Sequence, residues 1–245
     1  FPFVEIENPI KLLQNYTQLS NPECNKLGLA LYLGQGLAQD KESALEVWQS
    51  TNDAESWLYL SVDRFFQGDK TGGVNYLSKA AKAGNVTAQL RYAYCLILGI
   101  GISGDINKAF KIFDKLAREK VPCAVYFVGA MHMTKAQDIV EYNVEKGKKL
   151  LAWSVTHGCK YAQFEQGVVD FRTAKTAEEK QKALDLIRAA AEQGEPRAMF
   201  MYAIELSRGE NVPQDRKLAE FYLNQCLALN FEPAVDAVKN AVKKM

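Results

Sequence analysis

Cysteine and histidine are the side chains best suited to nucleophilic or metal chemistry. The chain has five cysteines and two histidines. His157 stands two residues before Cys159, and a thiol beside an imidazole is one form of activated nucleophile. Residues so close together on a turn rarely direct their side chains at one point, and catalysis also needs an orienting group. We therefore predict that the chain has no catalytic residues and is not an enzyme.

Other catalytic and metal-binding patterns are absent from the sequence. It lacks Gly-x-Ser-x-Gly, the phosphate-binding Gly-x-x-x-x-Gly-Lys-Ser/Thr and His-Glu-x-x-His. It also lacks Cys-x-x-Cys, and its second histidine, His132, is isolated, so we expect no metal and no cofactor. The odd number of cysteines does not indicate a disulfide framework. We expect buried free thiols at Cys24, Cys95, Cys123, Cys159 and Cys226.

Composition excludes two further classes of protein. Lys and Arg number 30 against 29 Asp and Glu, and hydrophobic residues make up 48% of the chain. A general nucleic-acid binder needs a basic surplus or stripe, and neither is present. The longest apolar run, from Tyr92 to Ile102, is about half of the roughly 20 residues that span a bilayer. We expect no nucleic acid and no integral membrane segment.

Small residues recur at a nearly fixed interval, which indicates an internal repeat. A large apolar residue follows each of them four positions later, on the same face of a helix. A second column of alanines runs in step with the first, at intervals of 34 to 38 residues. The first column is Ala44, Gly73, Ala109, Gly147, Ala183 and Ala219, and the second is Ala54, Ala88, Ala124, Ala162, Ala198 and Ala234.

Turn residues divide each unit into a helix A and a helix B. Glycine or asparagine closes most units in the left-handed conformation that ends a helix, whereas Lys120 should end its helix differently, helped by Pro122. Acidic residues after the internal turns should cap helix B, and Thr176 with Glu179 forms a capping box. The closing positions are Gly84, Lys120, Gly158, Gly194 and Asn230, and the capping acids are Asp40, Asp105 and Asp215.

These patterns predict an all-α protein of about six helix-turn-helix units of about 36 residues each. One helix pair cannot bury its own apolar faces, so the units must stack as an α-solenoid. We expect an N-terminal strap and capping helix over residues 1–22. The repeats should follow over 23–231, with a degenerate turn from Thr134 to Asn143, and a C-terminal capping helix over 232–245.

Several segments resemble the Sel-one-like repeat, a relative of the tetratricopeptide repeat. They include Leu27-Gly28, Gly34-Gln35-Gly36-Leu37 and Ala80-Ala81-Lys82-Ala83-Gly84, with Gly99-Ile100-Gly101-Ile102 and Ala189-Ala190-Ala191-Glu192-Gln193-Gly194. The resemblance implies a right-handed superhelix with a concave groove that serves as an adaptor. Some relatives carry a disulfide in each unit between cysteines separated by seven residues, and no cysteine pair here has that spacing.

The resemblance also bears on location. Many relatives are bacterial and exported, and the chain starts at Phe1 rather than Met. A secreted protein without its leader and a trimmed cytoplasmic protein both start in this way. We expect a bacterial protein that is periplasmic or secreted rather than cytoplasmic.

In repeats of this type helix A lines the groove, so residues about half a turn from the small columns should face it. This face is apolar and aromatic in units three to six, whereas Asn25 and Ser56 hold the first position in units one and two. The predicted groove residues are Leu90, Tyr94, Ile97, Tyr126, Met133, Phe164, Phe171, Phe200 and Ile204. An alternative is that superhelical curvature buries these residues as a second strip of core.

Three functions remain open from the sequence. The first is a non-catalytic scaffold whose groove binds an apolar peptide or one face of an amphipathic helix. The second is a structural subunit of an envelope, secretion or motility assembly that contacts partners through edges and caps. The third is a carbohydrate- or peptidoglycan-binding protein, which the aromatic residues favour but which lacks paired carboxylates for glycoside chemistry.

Overall fold

The computed structural model describes residues 9–14, 18–134, 139–229 and 231–242. This part of the chain consists of helices joined by turns and loops, with no strand. The prediction of an all-α protein is therefore confirmed. The helices are α1 (Pro9–Gln14), α2 (Asn21–Leu33), α3 (Lys41–Thr51), α4 (Ala54–Phe66), α5 (Lys70–Lys82), α6 (Val86–Leu98), α7 (Ile106–Arg118), α8 (Pro122–Met133), α9 (Val144–Thr156), α10 (Lys160–Thr173), α11 (Ala177–Glu192), α12 (Pro196–Arg208), α13 (Arg216–Ala228) and α14 (Glu232–Val242).

The chain forms two compact units, Phe1–Phe113 and Asp114–Met245. In the first unit α2, α4 and α6 are helices A, and α3 and α5 are helices B packed against them. In the second unit α8, α10 and α12 are helices A, and α9, α11 and α13 are their helices B. The predicted alternation of A and B helices thus holds within each unit.

The small residues bring helix A and helix B into backbone contact, as the repeat pattern predicts. A Cβ atom added to Gly129 of α8 would lie 3.1 Å from the carbonyl oxygen of Gly147 in α9. One added to Gly167 of α10 would lie 3.0 Å from the carbonyl oxygen of Ala183 in α11. Both distances are shorter than ordinary Cβ contacts, so a larger residue at either position would force the two helices apart.

Each unit has its own core. In the first, the fully buried indole ring of Trp48 lies between Tyr32 and Tyr59, with ring centroids 5.4 and 5.0 Å away. In the second, the buried residues Leu184, Ile187 and Met199 join α11 to α12. The large apolar residues that follow the small columns therefore supply much of the packing, as expected.

The helix ends follow the predicted turn chemistry with one exception. Gly84, Gly158 and Gly194 have φ angles of 92°, 81° and 72°. Lys120 also adopts the left-handed conformation, with φ 60°, so the expectation that it ends its helix differently was wrong. The backbone of this turn is the same at all these sites, and a residue with a Cβ accepts it at a cost of about 1–2 kcal/mol.

The capping predictions are confirmed in detail. Asp40 accepts a hydrogen bond from the backbone N–H of Ser43 at 3.0 Å, and Asp105 accepts one from Lys108 at 2.9 Å. The Thr176 hydroxyl accepts the backbone N–H of Glu179, whose carboxylate in turn accepts the N–H of Thr176. These acids are explained by the helix ends that they stabilise.

Parts of three predicted features lie outside the described residues. These parts are residues 1–8 and 15–17 of the expected N-terminal strap, residues 135–138 of the degenerate turn, and residues 243–245 after α14. Asn230, expected to close the last unit, also lies outside them. The division of the chain into strap, repeats and cap stays a prediction.

Candidate functional site

Three predicted groove residues lie on α6 of the first unit. Leu90 and Ile97 are half-buried, and Tyr94, between them on the same helical face, is 45% exposed. Spacings of four and three residues place the three side chains along one stripe. The stripe is accessible at its centre and partly packed at both ends.

The polar residues that hold the first position in the preceding helices A are fully buried. The Asn25 amide donates to both carboxylate oxygens of Asp53 at 3.2 Å. The Ser56 hydroxyl accepts the backbone N–H of Asp53 at 2.8 Å, and the Asp53 carboxylate accepts the N–H of Ser56. Asn25 therefore joins α2 to the start of α4, which Asp53 and Ser56 cap, and neither Asn25 nor Ser56 is open to a ligand.

Tyr126 of α8 starts the corresponding stripe in the second unit. Its ring is buried and lies against Phe127 and Tyr161, with centroids 5.1 and 5.9 Å away. Its hydroxyl donates to Oε1 of Glu165 in α10 at 2.6 Å. Burial, followed by this hydrogen bond and the charge of Glu165, raises the pKa of Tyr126 well above its usual value. Tyr126 is therefore a protonated donor that joins two successive helices A.

Phe164 and Arg197 continue this contact from α10 to α12. The guanidinium carbon of Arg197 lies 4.6 Å from the centroid of the Phe164 ring, within cation–π range. Arg197 also lies 3.9 Å from Glu165 and 2.7 Å from the buried carboxylate of Glu195, which caps α12. The Arg197 and Glu165 side chains are 43% and 48% exposed. A partner could therefore reach both charges.

The remaining predicted residues are half-buried. Phe171 and Phe200 pack beside Phe164 against the core that α11 and α12 share. Phe200 also contacts Phe231 edge to face at 6.0 Å, and the ammonium of Lys180 lies 5.9 Å from the Phe171 centroid. Phe171 and Phe200 therefore combine core contact with an accessible edge.

Met133 and Ile204 complete the predicted set, and both are half-buried. The Met133 thioether lies over Gly147, where a Cβ atom would come within 3.1 Å of the sulfur. Met133 thus packs towards the helix B of its own pair. Glu165 contacts Tyr126 and Arg197, and Arg197 in turn contacts Phe164. Phe200 packs against the same core as Phe164.

We call this group the aromatic–ionic surface and define it as Tyr126, Phe164, Glu165, Arg197 and Phe200. The apolar stripe in the sequence does not include its two charged members, Glu165 and Arg197. Glu165 follows Phe164 directly and Arg197 precedes Ala198 of the second small column, so both stood beside residues already selected. Opposite charges in the N-terminal halves of successive helices A were the signal that could have identified them.

The imagined Cys–His nucleophile does not form. The His157 ring stacks on Trp153 with centroids 3.7 Å apart, and its Nδ1 lies 2.8 Å from the Trp153 carbonyl oxygen. The Cys159 side chain is fully buried in a cluster with Tyr126 and Ala162. The two side chains therefore have separate partners.

The described part of the chain has neither a metal-binding cluster nor a membrane-spanning helix. Residues 9–14, 18–134, 139–229 and 231–242 contain no group of three or more His, Cys, Asp or Glu side chains placed to hold a metal ion. None of the helices within these ranges has the length and apolarity to cross a membrane.

The family model of the Sel1 repeat matches five segments, which together make up more than half of the chain: residues 24–46, 66–85, 86–120, 177–195 and 196–226. Proteins of this family are generally non-catalytic repeat scaffolds for protein–protein interaction. The model does not match residues 121–176, which contain α8, α9 and α10. The number of repeats therefore stays a prediction.

One curated relative is the mouse protein named DAP3-binding cell death enhancer 1, with 25% identity over 210 residues. The match covers 82% of this chain and 41% of the relative. The chain thus spans about two fifths of that protein. The expected bacterial origin and periplasmic or secreted location stay predictions.

Two solved structures show the same fold. An Escherichia coli protective antigen, c5321, with a Sel1-like repeat fold has a TM-score of 0.55 and 25% identity, over 89% of this chain and 48% of that one. A Sel1 repeat protein from Oxalobacter formigenes has a TM-score of 0.56 and 22% identity, over 94% of this chain and 68% of that one. These likenesses confirm the predicted α-solenoid fold class.

Proposed function

Because the chain belongs to the Sel1 repeat family, we propose that it is a non-catalytic scaffold whose aromatic–ionic surface binds a segment of a partner protein. The segment is an apolar peptide or one face of an amphipathic helix. Its apolar residues contact the accessible edges of Phe164 and Phe200, and its flanking charges meet Glu165 and Arg197. The contact of Arg197 with both Phe164 and Glu165 is the observation that carries this proposal.

The chemistry of this surface favours a protein ligand. Aromatic residues and arginine are enriched at the energetically important centres of protein interfaces. A guanidinium held over a ring and beside a carboxylate is already oriented, so less side-chain entropy is lost when a partner binds. The name of the mouse relative also describes a protein that binds another protein, which supports a protein partner for this chain.

The aromatic–ionic surface belongs to the second unit, whereas the three predicted groove residues of α6 belong to the first. Leu90, Tyr94 and Ile97 form their own partly accessible stripe in the first unit. Whether they contact the same partner stays a prediction, as does the use of Met133, Phe171 and Ile204. The aromatic–ionic surface is therefore the part to test first.

The test measures binding of amphipathic helical peptides that have been selected from a displayed library against the wild-type chain. Replacing Phe164 and Phe200 by Ser should weaken binding by roughly 30-fold or more, because two central aromatic contacts are lost. Val169 and Phe221, 55% and 40% exposed, provide the matched control, and their replacement by Ser should leave affinity within about threefold.

Circular dichroism decides between a binding surface and a second strip of core. Both variants should keep wild-type helicity at the temperature of the binding assay. If the Phe164 and Phe200 variant unfolds, these rings are core, and Arg197→Gln then supplies the binding test on a folded chain. Undiminished binding by a folded Phe164 and Phe200 variant would overturn the proposal.

A further inference from the structure

Two of the five cysteines meet in the second unit, although they are 36 residues apart and on different helices. Cys159 occupies the N-cap position of α10 and is fully buried, and Cys123 lies in the first turn of α8 and is half-buried. Cys123 packs against the buried cluster to which Cys159 belongs. They pack in one cluster with Tyr126 and Ala162.

The other three thiols have different surroundings. The Cys226 sulfur lies 3.5 Å from the Pro196 carbonyl oxygen, and the Cys24 sulfur lies 3.9 Å from that of Leu19. Cys95 is buried among the apolar residues of α6. Cys226 and Cys24 belong to two other clusters. Cys123 and Cys159 therefore share one cluster, and this juxtaposition gives the pair a chemistry that a single thiol lacks.

The position of the pair at a helix start divides the two thiols electrostatically. The side-chain interaction with Cys159 is the largest cause that lowers the pKa of Cys123, and burial opposes it. The Lys160 ammonium and the backbone N–H groups of Lys160 and Tyr161 lower this pKa further. The side-chain interaction with Cys123 and burial raise the pKa of Cys159. Cys123, which is also the more accessible of the two, is therefore the better nucleophile.

We propose that Cys123 and Cys159 form a redox-active thiol pair that closes to a disulfide between α8 and α10 on reaction with a low-molecular-weight disulfide such as oxidised glutathione. The Cys123 thiolate attacks one sulfur of the donor, whose disulfide bond breaks and releases one thiolate. The Cys159 sulfur then attacks the Cys123 sulfur of this mixed disulfide and expels the second thiolate, which takes up the proton that the Cys159 thiol loses. The protein loses two thiol hydrogens, and the donor is reduced to two thiols.

This inference does not depend on the proposed partner-binding function, although it concerns the same helices. Cys159 packs with Tyr126, and Tyr126 donates to Glu165 of the aromatic–ionic surface. A disulfide would therefore fix the relative position of α8 and α10 directly beneath Tyr126.

The test uses glutathione buffers of graded oxidation, followed by blocking of free thiols, trypsin digestion and mass spectrometry without reduction. Trypsin places Cys123 in the peptide 121–135 and Cys159 in the peptide 150–160. Oxidation should join these two peptides with the loss of two hydrogens, and reduction should separate them. The wild-type chain is treated beside a variant with Cys24→Ala, Cys95→Ala and Cys226→Ala, so a folding defect of that variant does not decide the result.

Single variants distinguish a reactive pair from independent thiols. Cys159→Ser should accumulate a mixed disulfide of glutathione at Cys123, and Cys123→Ser should leave the buried Cys159 unmodified. Joined peptides in the folded wild type would support the proposal. Two free thiols throughout the glutathione series, or separate glutathione adducts on Cys123 and Cys159, would overturn it.

Discussion

Acidic side chains join successive helices A in both units, but they do so in different surroundings. In the first, Asp63 of α4 is 4% exposed and accepts hydrogen bonds from the neutral Tyr32 hydroxyl and Gln67 amide, at 2.9 and 2.7 Å. In the second, Glu165 of α10 is half exposed, and a cation, Arg197, lies beside it. Buried polar contacts of the first kind stabilise the stack, whereas exposed charges of the second kind stay available to a partner.

The largest expected effect tests this contrast directly. Asp63→Ala should lower the free energy of unfolding by about 2–3 kcal/mol, because the hydroxyl of the buried Tyr32 loses its charged acceptor. Glu165→Ala should cost only about 1 kcal/mol, since water can replace a half-exposed carboxylate. Urea unfolding followed by circular dichroism measures both. Equal losses in the two variants would remove the distinction between the two units.

A smaller effect concerns the two residues other than glycine with positive φ among the described residues, Asn52 in the first unit and Lys120 in the second. Asparagine tolerates this conformation better than lysine does. Lys120→Gly should therefore stabilise the chain by about 1 kcal/mol, and Asn52→Gly should gain less.

Thermal unfolding measures these gains, and Glu119→Gly is the control for the loss of a side chain next to the turn. Glu119 lacks a positive φ, so its replacement should give no gain. A Lys120→Gly variant no more stable than the wild type would mean that the lysine side chain compensates for its backbone.

The smallest effect at neutral pH involves Tyr59 and Tyr126, one in each unit. Burial and hydrogen bonds to Glu55 and Glu165 raise the pKa of both phenols above the usual value of 10. The unfolded chain therefore loses these protons first as the pH rises, so stability is full below about pH 10 and falls above it. Each Tyr→Phe variant should reduce the steepness of this fall, as urea midpoints between roughly pH 9 and 11 would show. Unchanged steepness in Tyr126→Phe would mean that the contact with Glu165 does not persist in solution.

Features with a short sequence range could be predicted, because they repeat along one helix or across one turn. The close approach of Gly167 to Ala183 follows from two columns of small residues, and the Thr176 and Glu179 box follows from a spacing of three. Lys120 was misjudged because its side chain type was weighed above the geometry that the repeat imposes at that turn. Periodicity fixes the backbone, and an unusual residue then adopts the backbone of its neighbours.

The contacts that define the candidate site could not be predicted in the same way. Arg197 lies 32 residues from Glu165, and Cys123 lies 36 residues from Cys159, so each pair depends on how two helices are offset. Side-chain direction adds a second uncertainty, as Met133 shows by packing over Gly147. A stripe of apolar residues identifies the correct helices, whereas the partners of each side chain follow only from the structure.

The tryptophans have an unintended practical value. Trp48 and Trp57 belong to the first unit and Trp153 to the second, and the sequence has three tryptophans in all. Trp48 is sealed from water, whereas Trp153 stacks on the exposed imidazole ring of His157. Each half of the molecule therefore carries its own indole fluorophore in a distinct setting, so the unfolding of the two halves can be followed separately by emission from variants that keep one of these tryptophans.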